Sequence, residues 1–126
     1  IRDGRDVLFV SSGFMTMRVL DVAKRLQADG VDSAVLHVPT IKPLDVETIA
    51  AEAAKGGRLV VTAENHSITG GLGEAVSAAL MRAGVHVPFR QIALPDAFLD
   101  AGALPTLHDQ YGISVGAVTA SVKAWL

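Results

Sequence analysis

Residues 59–76 read LVVTAENHSITGGLGEAV, and this stretch decides the fold class. Its first five residues form a mostly apolar, valine-rich run, which is typical of a strand that is buried on both faces of a sheet. A glycine-rich turn follows, and apolar residues then recur at the spacing of one helix face, at Leu72, Ala75, Val76, Ala79 and Leu80. A buried strand that leads into an amphipathic helix is the repeating unit of an α/β sheet.

The same unit recurs along the whole chain. Strand patterns cover residues 6–10, 33–38, 58–64 and 87–94, and helix patterns start near Thr16, Asp45, Leu72, Leu104 and Ser114. Strands that alternate with helices favour a mainly parallel sheet between two helical layers, in strand order 2-1-3-4. We therefore expect a three-layer α/β/α fold, formed as a single domain by residues 1–126.

Composition excludes several classes of protein. The formal charge is −2, and the basic residues form no cluster, which argues against general binding of nucleic acids or membrane surfaces. No apolar run reaches the length of about 18 residues that a membrane span needs. Because the chain has no cysteine, disulfides and thiolate metal sites are excluded. A cytoplasmic protein is the resulting expectation.

The predicted sheet topology also indicates where a ligand would lie. In order 2-1-3-4 the chain reverses direction between strands 1 and 3, and ligands tend to bind beyond the carboxyl ends of those strands. These ends are Ser11–Phe14 and Glu64–Ser67, and the glycine-rich helix start at Gly70–Gly73 follows the second. Exposed amides there could bind an anion, or the glycines could instead permit close packing of a helix on a strand. The pattern matches neither a P-loop nor a dinucleotide fingerprint.

The titratable residues do not assemble into a mechanism. His66, two residues after Glu64, could act as a general base or simply bond to backbone or to a partner surface. The other histidines are dispersed, so no metal site is predicted. We expect no catalytic or cofactor-binding residue. The candidates for an interface or an anion site are Gly13, Lys42, Glu64, Asn65, His66, Gly70 and Gly71.

Several segments, in order, resemble the C-terminal domain of transketolase. Ile41–Asp45 is similar to its KPLD segment, and Thr62–Ser67 with Gly70–Val76 resembles its E-x-H…GG-x-G-x-x-V stretch. Asp96–Phe98, Ala101–Gly102, Leu107 and Tyr111–Gly112 are similar to its tail, and Gly4–Val7 and Gly13 to its opening. The resemblance covers nearly the whole chain.

The resemblance implies a thiamine diphosphate-dependent transferase that moves two-carbon ketol units between sugar phosphates. In this family the coenzyme and a divalent metal (Mg²⁺) lie between a pyrophosphate-binding and a pyrimidine-binding domain, whose motifs this sequence lacks. The chain alone is therefore predicted to be inactive and to support packing and dimerisation. Its implied partners are those two domains, in cis or in trans, within a homodimer or a heterotetramer.

The sequence also allows other parent enzymes and one different class of function. The resemblance extends to the C-terminal domains of 1-deoxyxylulose-5-phosphate synthase and of 2-oxo acid dehydrogenase β subunits. A different class would be a free-standing module that binds a small anion at Gly70–Gly73.

The family domain also has an antiparallel edge strand, which this sequence, opening at Ile1, starts too late to supply. We therefore expect a piece of a longer or split enzyme.

Overall fold

The computed structural model describes residues 1–126 and contains four strands and five helices. The strands are β1 (Val7–Ser11), β2 (Ser33–His37), β3 (Leu59–Ser67) and β4 (Phe89–Leu94). The helices are α1 (Met15–Ala28), α2 (Val46–Ala53), α3 (Leu72–Arg82), α4 (Leu104–Gln110) and α5 (Val115–Trp125). None of the helices combines the length and the hydropathy that crossing a bilayer requires.

All four strands run parallel in the order β2-β1-β3-β4, which confirms the predicted topology. Alternate residues of β1 point to opposite faces of this sheet. Phe9 packs with α1 and α5 in one buried cluster, whereas Leu8 packs with α2 and α3 in the other. The two apolar layers make the fold a three-layer α/β/α sandwich.

Two helices begin as their sequences predict. The side chain of Asp45 accepts a hydrogen bond from the backbone N–H of Thr48 at 3.1 Å at the start of α2. Ser114 caps α5 in the same way, through the N–H of Ala117 at 3.1 Å. Each cap satisfies one of the backbone donors that a helix start leaves unpaired.

Strand β3 is longer than its sequence predicts. The pattern of apolar residues stops at Ala63, but the strand continues to Ser67. Its register with β4 shifts on the way, since Ala63 pairs with Ile92 and Ser67 pairs with Leu94. Such a bulge changes the direction of side chains without ending the strand, and here it lies beside the predicted crevice.

The amino terminus lies along one edge of the sheet. The sheet has four parallel strands and no antiparallel edge strand, and the terminus contributes an isolated antiparallel bridge between Arg2 and Val35 of β2. The N–H of Val35 donates to the Arg2 carbonyl at 2.8 Å, and the Arg2 N–H donates back at 3.3 Å. The bridge pairs with the middle residue of β2, which is an edge strand of the sheet.

Candidate functional site

Most of the predicted site residues meet in one crevice. A cavity of about 340 Å³ lies at the carboxyl edge of the sheet, between β1 and β3. Six of the seven candidates line it, namely Gly13, Glu64, Asn65, His66, Gly70 and Gly71, together with Ser12, Phe14 and Ile41. Lys42 does not line this cavity, although it follows Ile41, which does. The topology therefore brings the candidates together, as the reversal between β1 and β3 predicted.

Glu64 has the most constrained position of these residues. Its side chain is almost fully buried, with 2% exposure, at the point where β3 bulges. The carboxylate accepts hydrogen bonds from the backbone N–H groups of Leu72 at 2.7 Å and Gly73 at 2.8 Å. It thus places a negative charge at the positive end of α3 and satisfies two of its unpaired donors.

The glycines of this turn make that arrangement possible. A Cβ atom at Gly71 would overlap the carboxylate of Glu64. A Cβ atom at Gly73 would overlap the side-chain amide of Gln91 on β4. The glycine pattern therefore serves the close approach of helix and strand, the second of the two readings that the sequence allowed.

An external anion finds few free donors at this helix start. The amides of Leu72 and Gly73 already donate to Glu64. The N–H of Gly70 donates to the Glu74 carboxylate at 2.8 Å, and two carboxylates beside the turn would repel a further negative charge. This geometry weighs against the free-standing anion-binding module.

His66 and Asn65 lie at the exposed rim of the crevice. His66 is exposed, and its Nδ1 lies 3.0 Å from the backbone carbonyl of Ser67. No hydrogen bond joins it to Glu64, so the structure does not form the His–carboxylate pair that a general base would use. Asn65 is also exposed at the rim. Both side chains are available to a partner surface.

Two hydrogen-bonded groups have no counterpart in any sequence pattern. In the first, the Ser11 hydroxyl lies 2.9 Å from that of Thr16, which lies 2.8 Å from Nδ1 of His37. This chain joins the ends of β1 and β2 to α1. It contains no carboxylate, so it does not complete a nucleophile with base and orienting acid.

The second group joins α1 to α4. Arg18 donates from Nη2 to Nδ1 of His108 at 2.5 Å and from Nη1 to the Ile113 carbonyl at 2.6 Å. The Phe14 ring lies 5.8 Å from the His108 ring, with the Arg18 guanidinium 4.8 Å from the Phe14 centroid. Burial, and then the charge of Arg18, lower the pKa of His108. A separation of 90 residues between Arg18 and His108 leaves no local signal of this contact.

Exposed apolar side chains concentrate at the same edge as the crevice. Eleven large apolar residues are exposed in the chain, and eight of them follow the carboxyl end of a strand or lie in the first turn of the next helix. These eight are Phe14, Met17, Ile41, Val46, Ile68, Phe98, Leu99 and Leu104. Such a concentration is typical of a protein interaction surface. No three His, Asp or Glu side chains converge so that they could hold a metal ion.

Comparison with known sequences agrees with the resemblance. The family model "Transketolase, C-terminal domain" matches residues 1–118. A transketolase family protein of Sinorhizobium fredii is 65% identical over all of this chain and 37% of its own length. A 6-deoxy-6-sulfo-D-fructose transketolase subunit of a Clostridium species is 37% identical over 90% of the chain and 35% of its own length. The 1-deoxy-D-xylulose-5-phosphate synthase of Heliobacterium modesticaldum is 36% identical over 94% of the chain and 18% of its own length.

Solved structures give the same result. A split-gene transketolase, described as an inactive β4 tetramer, superimposes with a TM-score of 0.89 at 35% identity, over 98% of this chain and 40% of that one. The transketolase of Campylobacter jejuni shares the fold, with a TM-score of 0.65 at 17% identity over 94% of this chain and 17% of that one. This chain thus spans well under half the length of the proteins that it matches. With its sequence matched from residue 1 to residue 118, it belongs to the transketolase C-terminal domain family.

Proposed function

We propose that residues 1–126 act as one domain, the C-terminal domain of a cytoplasmic, thiamine diphosphate-dependent transketolase that transfers two-carbon ketol units between sugar phosphates. The observation that carries this proposal is the family match over residues 1–118. The Clostridium subunit adds support, because it is a named transketolase and aligns over 90% of this chain.

The residues of this chain do not fit thiamine diphosphate and Mg²⁺. A diphosphate needs free backbone donors or cations, but Glu64 takes the amides of Leu72 and Gly73 at the glycine-rich helix start. A magnesium ion needs converging oxygen ligands, and no cluster of three acidic or histidine side chains exists here. The coenzyme would instead lie in pyrophosphate- and pyrimidine-binding domains, on the same polypeptide or on another one.

The role left to this domain is assembly, as part of a homodimer or a heterotetramer. The eight apolar side chains at the carboxyl edge of the sheet support this role. Exposed apolar area is unfavourable in water, and a partner that covers this surface would remove that area from the solvent. Gly13, Lys42, Asn65 and His66 lie on or beside this edge and are proposed as interface residues. Glu64, Gly70 and Gly71 stabilise the turn between β3 and α3 through hydrogen bonds and close packing.

An exchange of domains tests the proposal. The matching 35% of the Clostridium transketolase subunit is replaced by this chain, and ketol transfer is measured after assembly with the companion subunit. We expect the chimera to assemble and to retain transfer activity. A chimera that carries an unrelated α/β domain of equal length is the control. Loss of both assembly and activity with this chain, as with the control, contradicts the proposal.

Calorimetry of the isolated chain is the second test. Titration with thiamine diphosphate and Mg²⁺ is expected to give no binding heat, since the donors at the start of α3 are already occupied. Tight binding to residues 1–126 alone would refute the proposed division of labour between domains.

A 1-deoxyxylulose-5-phosphate synthase is the second candidate parent. The synthase of Heliobacterium modesticaldum aligns over 94% of the chain at 36% identity, close to the value for the Clostridium transketolase subunit. Assaying a chimera of that synthase in parallel separates the two parents. The parent whose activity survives the exchange better is the one that this domain fits.

A further inference from the structure

Phe98 is the most exposed large apolar residue of the molecule, at 107% of the reference area. It lies in the segment between β4 and α4, which we call the 95–103 loop. The loop is fastened behind Phe98, because the N–H of Asp100 donates to the Tyr111 hydroxyl at 2.9 Å, and this hydroxyl donates to the Asp100 carboxylate at 3.2 Å. Gln110 donates to the same carboxylate at 2.9 Å. A fixed loop therefore presents an aromatic ring to solvent, as an anchor residue of an interface does.

A separate part of the surface offers an apolar receptor. A groove of about 630 Å³ runs between the segment before α2 and the outer face of α3. Seven of its eleven lining residues are hydrophobic, and alanines along α3 leave it wide. The residues that matter here are Ile41, Leu44, Val46, Ala75, Ala78 and Arg82. We call this surface the α3 groove.

The charges of the two surfaces are complementary. Arg82 and Glu74 are the charged residues of the α3 groove. Glu74 accepts a hydrogen bond from the Gly70 N–H, whereas Arg82 is exposed and forms no ion pair within the chain. The 95–103 loop carries Asp96 and Asp100 on either side of Phe98 and has no basic residue. An unpaired cation thus borders the groove, and two anions flank the anchor.

We propose that the 95–103 loop of one copy of this chain docks in the α3 groove of a second copy. Phe98 enters the apolar part of the groove, and Asp96 approaches Arg82. Both halves of the contact are on this chain, so no other partner is needed to complete it. Because the two surfaces differ, the contact closes either as a reciprocal twofold pair or as a ring. This inference rests on the proposed role of the domain in assembly and names the surfaces that perform it.

Sedimentation velocity of the full 126-residue chain tests the contact, with neither coenzyme nor catalytic domain present. We expect the mass to rise above 13.1 kDa with increasing concentration. Phe98→Ser should weaken self-association by about tenfold or more, as the loss of an anchor side chain does. Met81→Ser is the matched control, since Met81 is an exposed apolar residue outside the groove and should leave the mass unchanged.

Reversal of charge identifies the partner surface. Arg82→Glu and Asp96→Arg should each weaken the association, and the double variant should recover it, because the pair is then restored with opposite polarity. Circular dichroism verifies that every variant is folded. A chain that stays monomeric at all concentrations overturns the proposal, as does a double variant without recovery or a Phe98→Ser variant that associates normally.

Different results would refute the contact between copies and the proposed transketolase role. A monomeric chain that still supports ketol transfer in the chimera refutes only the contact between copies. A chain that associates through Phe98 but supports no transfer refutes only the transketolase role. If Phe98 becomes shielded from solvent only after the companion subunit is added, the 95–103 loop binds that subunit and the proposed contact between copies is wrong.

Discussion

The carboxylate of Glu64 occupies the space that a side chain at Gly71 would need. From there it accepts the backbone N–H groups of Leu72 and Gly73 at the start of α3. The strand β3 and the helix α3 are therefore joined by a buried, charge-assisted contact directly under the crevice. A glycine motif that suggests an external anion instead accommodates an internal one.

Replacing Gly71 with alanine tests this contact. The added Cβ overlaps the Glu64 carboxylate, so helix or carboxylate must move, and we expect a loss of about 1–3 kcal/mol in the free energy of unfolding. Gly116→Ala is the matched control, because nothing lies within 4 Å of a Cβ atom there. That change should be neutral or stabilise by up to about 1 kcal/mol. Equal urea denaturation midpoints for the two variants would contradict the prediction.

Removing the Glu64 carboxylate should convert the helix start into a true anion site. Glu64→Ala leaves the amides of Leu72 and Gly73 without partners, which we expect to cost about 2–4 kcal/mol. Phosphate should then raise the melting temperature of the variant more than chloride of equal ionic strength does, and should leave the wild type unaffected. A phosphate effect on the wild type as large as on the variant would revive the anion-binding module.

Arg58 offers a prediction about the buried end of the sheet. It is 3% exposed, and its guanidinium donates to the Gly4 carbonyl at 3.0 Å and also to the Glu52 carbonyl. Lysine has one ammonium where two diverging donors are needed, so Arg58→Lys should destabilise the fold by about 1–3 kcal/mol. The exposed Arg5→Lys should change the midpoint of thermal unfolding little. Similar midpoints for both variants would show that the fork of Arg58 is dispensable.

His108 should make stability depend on pH. Its pKa is lowered from 6.5 in the folded chain, by burial and by Arg18, so the folded state binds fewer protons than the unfolded state does. The free energy of unfolding should therefore fall as pH drops below about 6.5, and this fall should stop below the folded-state pKa. His108→Asn keeps an acceptor for Arg18 without titrating, and denaturant titrations of the variant should lose that part of the slope.

The carboxylates act in a different pH window. Hydrogen bonds from Thr48 lower the pKa of Asp45 from 3.8, and a hydrogen bond from Lys55 lowers that of Glu52 from 4.5. Both contribute stability above these values and lose it as pH falls through the folded-state pKa. The slope near neutral pH therefore does not come from them. An unchanged slope in His108→Asn would show that another group carries it.

The sequence predicts much of this protein through local patterns. The apolar run at 59–63, the cap at Asp45 and the helical spacing after Leu72 place the elements, and their alternation predicts the sheet order that the structure confirms. Position beyond a strand end also predicts which residues share a crevice, and six of seven do. These signals are readable because each depends on residues a few positions apart.

Other features appear only when distant segments meet. Residues 65–67 follow the end of the predicted strand, yet the pairing of Ser67 with Leu94 keeps them in β3, and Glu64 beside the resulting bulge contacts α3. The bridge from Arg2 to Val35 and the contact of Arg18 with His108 join residues that share no sequence pattern. The family resemblance and the element order are thus determined by the sequence alone. Whether Gly71 faces a bound anion or the protein's own carboxylate was decided by tertiary packing. The folded sheet places the Glu64 carboxylate at the helix start, where it takes the backbone amides that an anion would need.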